Sequence, residues 1–189
     1  KWRVKTFFTK EPDTLKWIDN FKEDEIFWDI GANIGLYSLY AAKKKVRVVS
    51  FEPSTNNTRI LARNISKNNL HEKILLFPIA LSNIDNKFLV MNESNLVEGS
   101  AHNSFGKNLD FEGKSFNPIS KYSIFGTTID KLINDNVLDM PDHIKIDVDG
   151  FEHLILMGAK DFLSKKKLKN ILVEINENYK EQFSQILKI

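Results

Sequence analysis

Apolar residues along the chain follow two alternating patterns. Short, mostly apolar runs are typical of buried strands, whereas apolar residues three or four positions apart predict helices with one buried face. Because the two patterns alternate, the sequence predicts an α/β fold, with a doubly wound, mostly parallel sheet and helices on both faces. The predicted principal strands are residues 26–30, 46–51, 74–80, 143–148 and 171–175.

Helices are predicted around these strands from spacing and capping residues. Residues 1–22 form a helical lead-in, in which Asp13 caps a helix over 13–21. Thr128 is expected to cap a short helix over 129–134. The other predicted helices cover residues 36–45, 54–68, 151–163 and the end of the chain.

Residues 92–120 interrupt the alternation. They are rich in Asn, Ser and Gly, with scattered apolar positions, and they lie between two additional predicted strands at 88–91 and 122–127. A long segment without regular structure in a compact domain is usually functional or disordered. We interpret 92–120 as a lid or acceptor-binding segment, and a mobile insertion without a role remains the alternative.

The first predicted strand runs into a glycine-bearing turn and a helix start. Glycines at 31 and 35 allow a sharp turn, and a helix N-terminus offers free N–H groups. The spacing is not the G-x-G-x-x-G of dinucleotide-binding folds, and an acid, Asp29, precedes the turn. A carboxylate there suits a cofactor that carries an ammonium group.

A second acid, Glu52, follows the second predicted strand 21 residues after Gly31. An acid about 20 residues after such a turn is where this architecture holds a ribose diol. An ammonium at one end and a ribose at the other describe S-adenosylmethionine. The alternative is an ordinary strand-to-helix turn with a surface acid.

Four of the five principal strands have an acid near the carboxyl end: Asp29, Glu52, Asp147 and Glu174. Ligands of open α/β sheets bind outside that edge, so the four acids predict one polar crevice. Lys145 and Asp147 lie two residues apart and therefore on the same face of their strand, where they are expected to pair.

Composition narrows the class of protein. The chain has 189 residues, 27 basic and 25 acidic, with a net charge of +2 that is too balanced to indicate nucleic acid binding. There is no cysteine, hence no disulfide or thiolate–zinc site. No apolar run reaches the ~20 residues of a membrane span. No signal peptide is visible, so the cytoplasm is expected, although a removed leader stays open because the chain begins at Lys1.

Six segments, in this order, resemble the FkbM family of S-adenosylmethionine-dependent methyltransferases. The resemblance implies one class I methyltransferase (Rossmann-like) domain over residues 1–189. It also implies O-methylation of a hydroxyl on a sugar, glycan or natural product. The class usually closes with an antiparallel hairpin after strand five, so either the sheet is short at that edge or the protein continues beyond Ile189. The segments are DIGANIG at 29–35, FEP at 51–53, PIALSN at 78–83, TTID at 127–130, IKIDVDGFE at 144–152 and VEI at 173–175.

The resemblance also assigns residues to the cofactor. Residues 29–35 would line its methionine portion, Glu52 its ribose, residues 79 and 80 its adenine, and Asp147 the methyl group and the acceptor. Asp149 stands where the family commonly has Glu, which leaves its role open. The proposed cofactor-binding residues are Asp29, Gly31, Ala32, Asn33, Gly35, Glu52, Pro53, Ile79, Ala80 and Asp147.

A sugar hydroxyl is a poor nucleophile until it loses its proton, so a positioned base is expected. The candidates are Asp147, Glu152, Glu174 and His102. Glu152 lies in the first turn of a predicted helix, where a capping role is the alternative. No metal is predicted, although Asp147 with Asp149 leaves Mg²⁺ open.

Two other classes of function remain open from the sequence. One is a dehydrogenase domain with the same topology, which the glycine spacing disfavours. The other is a cofactor-binding or interaction domain of a larger enzyme without catalysis of its own. The acceptor and the oligomeric state are not predicted.

Overall fold

Five parallel strands form the central sheet in the computed structural model, which describes residues 2–101 and 103–189. The strands are β1 (Ile26–Ile30), β2 (Arg47–Phe51), β3 (Ile74–Phe77), β8 (His143–Ile146) and β9 (Asn170–Val173). Their spatial order is β3-β2-β1-β8-β9 and every pairing is parallel. This confirms the α/β class and the parallel sheet.

Two apolar cores lie on opposite faces of this sheet. Alternate residues of β1 point to opposite faces, so Trp28 joins one core and Phe27 the other. The Phe27 core is completed by α2 (Pro12–Asp19), α3 (Leu36–Lys43) and α4 (Thr55–Lys67). The Trp28 core is completed by α5 (Ile129–Asn134), α6 (Glu152–Met157) and α7 (Lys160–Leu163).

A second sheet corrects the prediction that strands and helices alternate throughout. Its order is β4-β7-β5-β6, with β5 antiparallel to both neighbours. The third strand was predicted over 74–80, but β3 ends at Phe77 and Ala80 belongs to this second sheet. Pro78 explains the break, because it has no N–H to continue a ladder. The strands are β4 (Ala80–Leu81), β5 (Lys87–Glu93), β6 (Ser104–Phe105) and β7 (Ser120–Thr127).

The helix predicted over 151–163 is two helices, α6 and α7. Its break at Gly158 lets the Gly158 carbonyl accept from the backbone N–H of Asp130 at 3.0 Å. The Asp130 carboxylate in turn accepts from the N–H groups of Asp161 and Phe162 and so caps α7. Tertiary capping therefore replaces the continuous helix that the apolar spacing predicted.

The lead-in contains two helices, α1 (Trp2–Lys10) and α2, and the cap predicted at Asp13 is wrong. Proline favours the first position of a helix, and α2 accordingly begins at Pro12 after Glu11. The cap predicted at Thr128 is confirmed, because its hydroxyl accepts from the N–H of Lys131. The last element is α8 (Lys180–Ile186), and no strand follows β9 in the described part of the chain. Within that part, no helix is long and apolar enough to cross a membrane.

Candidate active site

Four candidate site residues lie side by side at the carboxyl edge of the central sheet. Ile30 pairs in register with both Phe51 and Ile146, and Ile146 pairs with Val173. The next residue of each strand therefore continues the row, in the order Glu52, Gly31, Asp147 and Glu174. Strand spacing near 4.8 Å sets the separation between these neighbours.

All four of these residues line one cavity of about 570 Å³. Two other candidate cofactor residues, Asn33 and Pro53, also line it, and so does the candidate base Glu152. The predicted polar crevice is therefore present, and three of the four strand-end acids, Glu52, Asp147 and Glu174, line it. The fourth, Asp29, is outside the lining.

Glu52 is a buried carboxylate held by backbone donors. It accepts from the N–H of Asn33 at 2.7 Å and from that of Ser54 at 2.8 Å, and it is 5% exposed. Burial raises its pKa to about 7 in spite of these bonds, and the Asp149 carboxylate adds to the rise. The carboxylate thus lies between the β1 turn and the start of α4, with hydrogen-bonding capacity left for a diol.

Asp147 is held between a cation and a second carboxyl group. Burial would raise its pKa, but the ammonium of Lys145, 2.5 Å away, keeps that pKa below the usual range. The Glu174 carboxyl is hydrogen-bonded to Asp147, and this bond raises the pKa of Glu174 to about 8, with a smaller effect of desolvation because the residue itself is exposed. The pair therefore holds one proton at neutral pH, and the ammonium of Lys145 favours the ionised form of Asp147 and hence the proton on Glu174. The pairing predicted for Lys145 and Asp147 is confirmed.

Glu152 binds the turn that follows β8. It accepts from the N–H groups of Val148 at 2.9 Å and Gly150 at 3.1 Å, and from the Gln182 amide of α8. Burial raises its pKa. These contacts match the capping alternative more closely than a free base. The fourth candidate base, His102, lies outside the described residues.

Asp29 lies beneath the glycine turn. It is 1% exposed, its Oδ2 accepts from the Ser38 hydroxyl at 2.5 Å, and its Oδ1 has no hydrogen-bond partner in the described part of the chain. Burial raises its pKa, which the charge of Lys145 on the neighbouring strand opposes. Asp29 is therefore a buried residue of β1 that is hydrogen-bonded to α3, and it lies outside the lining of the large cavity.

The two turn glycines are required for different reasons. Gly31 has φ +83°, and a Cβ there would lie 1.8 Å from the backbone oxygen of Asp147. Gly35 has φ +85°, and a Cβ there would lie 2.1 Å from Leu61 of α4. Gly31 thus keeps β1 and β8 close at the cavity, whereas Gly35 packs the helix start against α4 rather than opening space for a ligand.

A small apolar cavity of about 60 Å³ adjoins Gly31. Ile79 and Ala80, the residues proposed to lie near adenine, line it together with Phe51. Asn103 lines both this cavity and the large one, and its buried Oδ1 has no partner among the residues described. Sequence reasoning missed Asn103, because nothing in the local pattern of 92–120 distinguishes it from the other asparagines.

The 92–120 segment contains the short strand β6 and is hydrogen-bonded over the carboxyl edge. The amides of Asn33 and Asn57 both donate to the carbonyl of Ser100, at 2.8 and 3.1 Å. Further along, Asn176 donates to the carbonyl of Phe111 at 3.0 Å. Ser100, Ala101, Asn103, Phe111 and Glu112 of this segment line the large cavity.

Metal binding finds no support in the arrangement of ligands. Across residues 2–101 and 103–189, no group of three or more His, Cys, Asp or Glu side chains could hold an ion. This includes Asp147 and Asp149, the pair left open for Mg²⁺.

The parallel sheet, its helices and the cavity at its carboxyl edge define a class I methyltransferase fold. The precorrin-6y C5,15-methyltransferase of Geobacter metallireducens has a similar fold, with a TM-score of 0.53, 14% identity, and coverage of 94% of this chain and 68% of that one. Residues 29–189 match the family described as Methyltransferase FkbM domain, and the chain belongs to that family.

Two curated relatives are also methyltransferases. The chain is 23% identical over 175 residues to the hexuronic acid methyltransferase AglP of Haloferax volcanii, covering 93% of this chain and 66% of the relative. It is 26% identical over 180 residues to the methyltransferase sdnD of Sordaria araneosa, covering 83% of this chain and 68% of the relative. The chain thus spans about two thirds of the length of these proteins.

Proposed function

We propose that the chain is an S-adenosylmethionine-dependent methyltransferase that transfers a methyl group to a hydroxyl of a sugar, glycan or natural product. The observation that carries this proposal is the row of Glu52, Gly31, Asp147 and Glu174 along one cavity. Under this proposal, Glu52 binds the ribose, Gly31 allows close approach of the cofactor, and the carboxyl groups of Asp147 and Glu174 accept the proton of the acceptor.

The residues present fit this cofactor. The orphaned Oδ1 of Asn103 beside the apolar cavity suits the amino group of adenine, with Ile79 and Ala80 against the ring. Glu52 would accept from the ribose hydroxyls, next to Pro53. The turn of Gly31, Ala32 and Asn33 would face the methionine portion, and Asp29 and Gly35 would support that turn. When bound, the cofactor supplies an electrophilic methyl group on a sulfonium.

The proposed base is the Asp147–Glu174 pair. Lys145 holds Asp147 ionised, and Asp147 in turn keeps a proton on Glu174 at neutral pH. Once Glu174 has ionised, its carboxylate could accept the proton of an acceptor hydroxyl at the cavity wall. Glu152 has a positioning role, because it holds the backbone of the 148–150 turn.

The acceptor would bind where the cavity is walled by the 92–120 segment and the residues after β9. Amide and carboxylate groups there, including Asn176 and Asn178, can hydrogen-bond to hydroxyl groups. Similarity to the hexuronic acid methyltransferase AglP supports a sugar-type acceptor. The near-neutral net charge of +2 gives no reason to expect nucleic acid as a partner.

Calorimetric titration with S-adenosylhomocysteine tests the cofactor assignment. Wild type should bind one equivalent, and Glu52→Ala should bind it about 10- to 100-fold more weakly, as expected for charge-assisted hydrogen bonds. Arg47→Ala, at an exposed position on the other end of β2, is the control and should bind normally. Transfer of labelled methyl to a panel of sugars and other hydroxylated acceptors tests the reaction. A dehydrogenase domain would instead bind NADH, and a non-catalytic domain would bind cofactor without turnover.

A further inference from the structure

The junction between α1 and α2 brings two opposite charges to the cofactor-facing edge. Lys10 and Glu11 line a side cavity of about 50 Å³ next to the β1 turn. This side cavity and the large cavity share Lys10, Gly31, Asn33 and Asp147 in their walls. The junction lies before residue 29, where the family match begins.

Contacts fix Glu11 at the rim of the side cavity. Its Oε1 accepts from the ammonium of Lys10 at 2.7 Å, and its Oε2 accepts from the Tyr37 hydroxyl of α3 at 2.7 Å. The Tyr37 ring lies 4.9 Å from the ammonium of Lys145. The junction therefore contacts Tyr37, whose ring lies next to Lys145, the cation that pairs with Asp147.

Both members of the pair are charged at neutral pH. Burial would raise the pKa of Glu11, but the hydrogen bonds from Lys10 and Tyr37 bring it below the usual range. The bond to Glu11 raises the pKa of Lys10 in spite of burial, and Asp147 and Glu174 add to this rise. A cation and an anion thus stand side by side at one end of the cavity.

Stability alone does not account for this arrangement. An ion pair between sequence neighbours that are 45% and 27% exposed contributes little to folding. Asp29, the acid expected to face an ammonium, is buried beneath the turn and lines neither the large cavity nor the side cavity. In the side cavity, the carboxylates at the wall are those of Glu11 and Asp147.

We propose, on the basis of the cofactor assigned above, that Lys10 and Glu11 bind the amino-acid end of S-adenosylmethionine. Glu11 accepts from its α-ammonium group, and Lys10 pairs with its α-carboxylate. Tyr37 is a positioning residue, because its hydroxyl holds the Glu11 carboxylate toward the cavity. The lead-in helices thereby become part of the cofactor site.

Two ligands separate this role from a structural one. S-adenosylhomocysteine carries the amino-acid end, whereas 5′-methylthioadenosine keeps the adenine, ribose and sulfur but lacks it. Glu11→Gln and Lys10→Ala should each weaken binding of S-adenosylhomocysteine by about 10-fold or more. Binding of 5′-methylthioadenosine should stay within about twofold of wild type. Tyr37→Phe should shift affinity in the same selective way but less. Lys16→Ala, which removes an exposed ion pair with Asp13 on α2, is the control.

Each outcome is decisive. Selective loss of S-adenosylhomocysteine binding in the Glu11 and Lys10 variants supports the proposal, and the retained binding of 5′-methylthioadenosine shows that these variants fold. Equal weakening of both ligands, or no weakening of either, overturns it while leaving the cofactor assignment intact. If wild type binds neither ligand, the proposed function and this inference are overturned together.

Discussion

The ammonium nitrogen of Lys145 lies 2.5 Å from Oδ2 of Asp147, two residues further along the same chain. Lys145 is 1% exposed, yet its charge is retained, because Asp147 and Asp29 raise its pKa against the effect of burial. A central parallel strand is normally apolar on both faces. The role of this lysine is therefore to keep Asp147 ionised at the cavity edge, and it is not explained by packing in the core.

Removal of the lysine charge should destabilise the protein strongly. In Lys145→Met, Asp147 and Asp29 lose their nearest cation, and breaking a buried pair in this way costs about 3–5 kcal/mol. Urea unfolding at pH 7 measures the loss. Adding Asp147→Asn to Lys145→Met should recover part of it. Lys44→Met, which breaks the exposed pair with Asp19, is the control and should cost less than about 1 kcal/mol. A cost that small for Lys145→Met would contradict the interpretation.

Activity should rise with pH as Glu174 loses its proton. Its pKa is raised to about 8, so the carboxylate that can accept a proton forms only as the pH passes that value. We expect kcat/KM to increase through about pH 8 and then level. Glu174→Gln should lose both the rise and most of the rate. Carbon-13 NMR of the glutamate carboxyl groups measures the same ionisation without an acceptor. A rate that does not change with pH over this range would instead assign the base to Asp147, which is ionised throughout it.

Stability in the absence of ligand should fall over the same range of pH. The folded-state pKa values of Glu52 and Glu174 lie above those of the unfolded chain, near 4.3. Such groups contribute stability that is fully present below the unfolded pKa. That contribution is lost as the pH rises through about 7 for Glu52 and about 8 for Glu174. Urea midpoints measured from pH 5 to 9 test this, and Glu174→Gln should flatten the upper part of the decline.

Gly31→Ala should be far more damaging than an alanine at a comparable glycine. Both Gly31 and Gly99 have positive φ, which costs an alanine about 1–2 kcal/mol. At Gly31 the new Cβ would also lie 1.8 Å from the Asp147 carbonyl oxygen, whereas at Gly99 its nearest contact is 3.4 Å away. Thermal unfolding should therefore show a modest loss for Gly99→Ala and a severe loss, or no folding, for Gly31→Ala. Similar midpoints would refute the close approach of β1 and β8.

Asn103→Leu should weaken binding of S-adenosylhomocysteine about 5- to 30-fold, through the loss of one hydrogen bond to adenine. S-inosylhomocysteine carries an oxygen in place of the adenine amino group and should not lose affinity in this variant. Calorimetry with both ligands tests the assignment. Asn117→Leu, at an exposed position of the same segment, should leave both affinities unchanged. Equal losses for the two ligands would indicate a disturbed loop instead.

Local signals account for what the sequence predicted well. The strand over 26–30, the Thr128 cap and the helix over 54–68 each depend on residues close in the chain, and all three are confirmed to within a residue or two. The acids at strand ends predicted the crevice, because strands of one parallel sheet end at a common edge.

Tertiary contacts account for the rest. The second sheet depends on the pairing of β5 with β7, which are separated in sequence by the 92–120 segment, where no regular apolar pattern predicts structure. The break at Gly158 depends on Asp130, which is distant in sequence. Asp29 also shows the limit: the pattern predicted its place near the carboxyl end of β1, but only the packing of α3 shows that the Ser38 hydroxyl donates to it inside the fold.

The register of β2, β1, β8 and β9 fixes the distances between Glu52, Gly31, Asp147 and Glu174 through backbone ladders. The opposite wall of the cavity, in residues 94–119, meets this edge through hydrogen bonds such as those of Asn33 and Asn57 to Ser100. For enzyme engineering, this is a favourable division. Under the proposed function, loops grafted between β5 and β7 would change which acceptor fits, while the spacing of Glu52, Gly31, Asp147 and Glu174 stays set by the sheet.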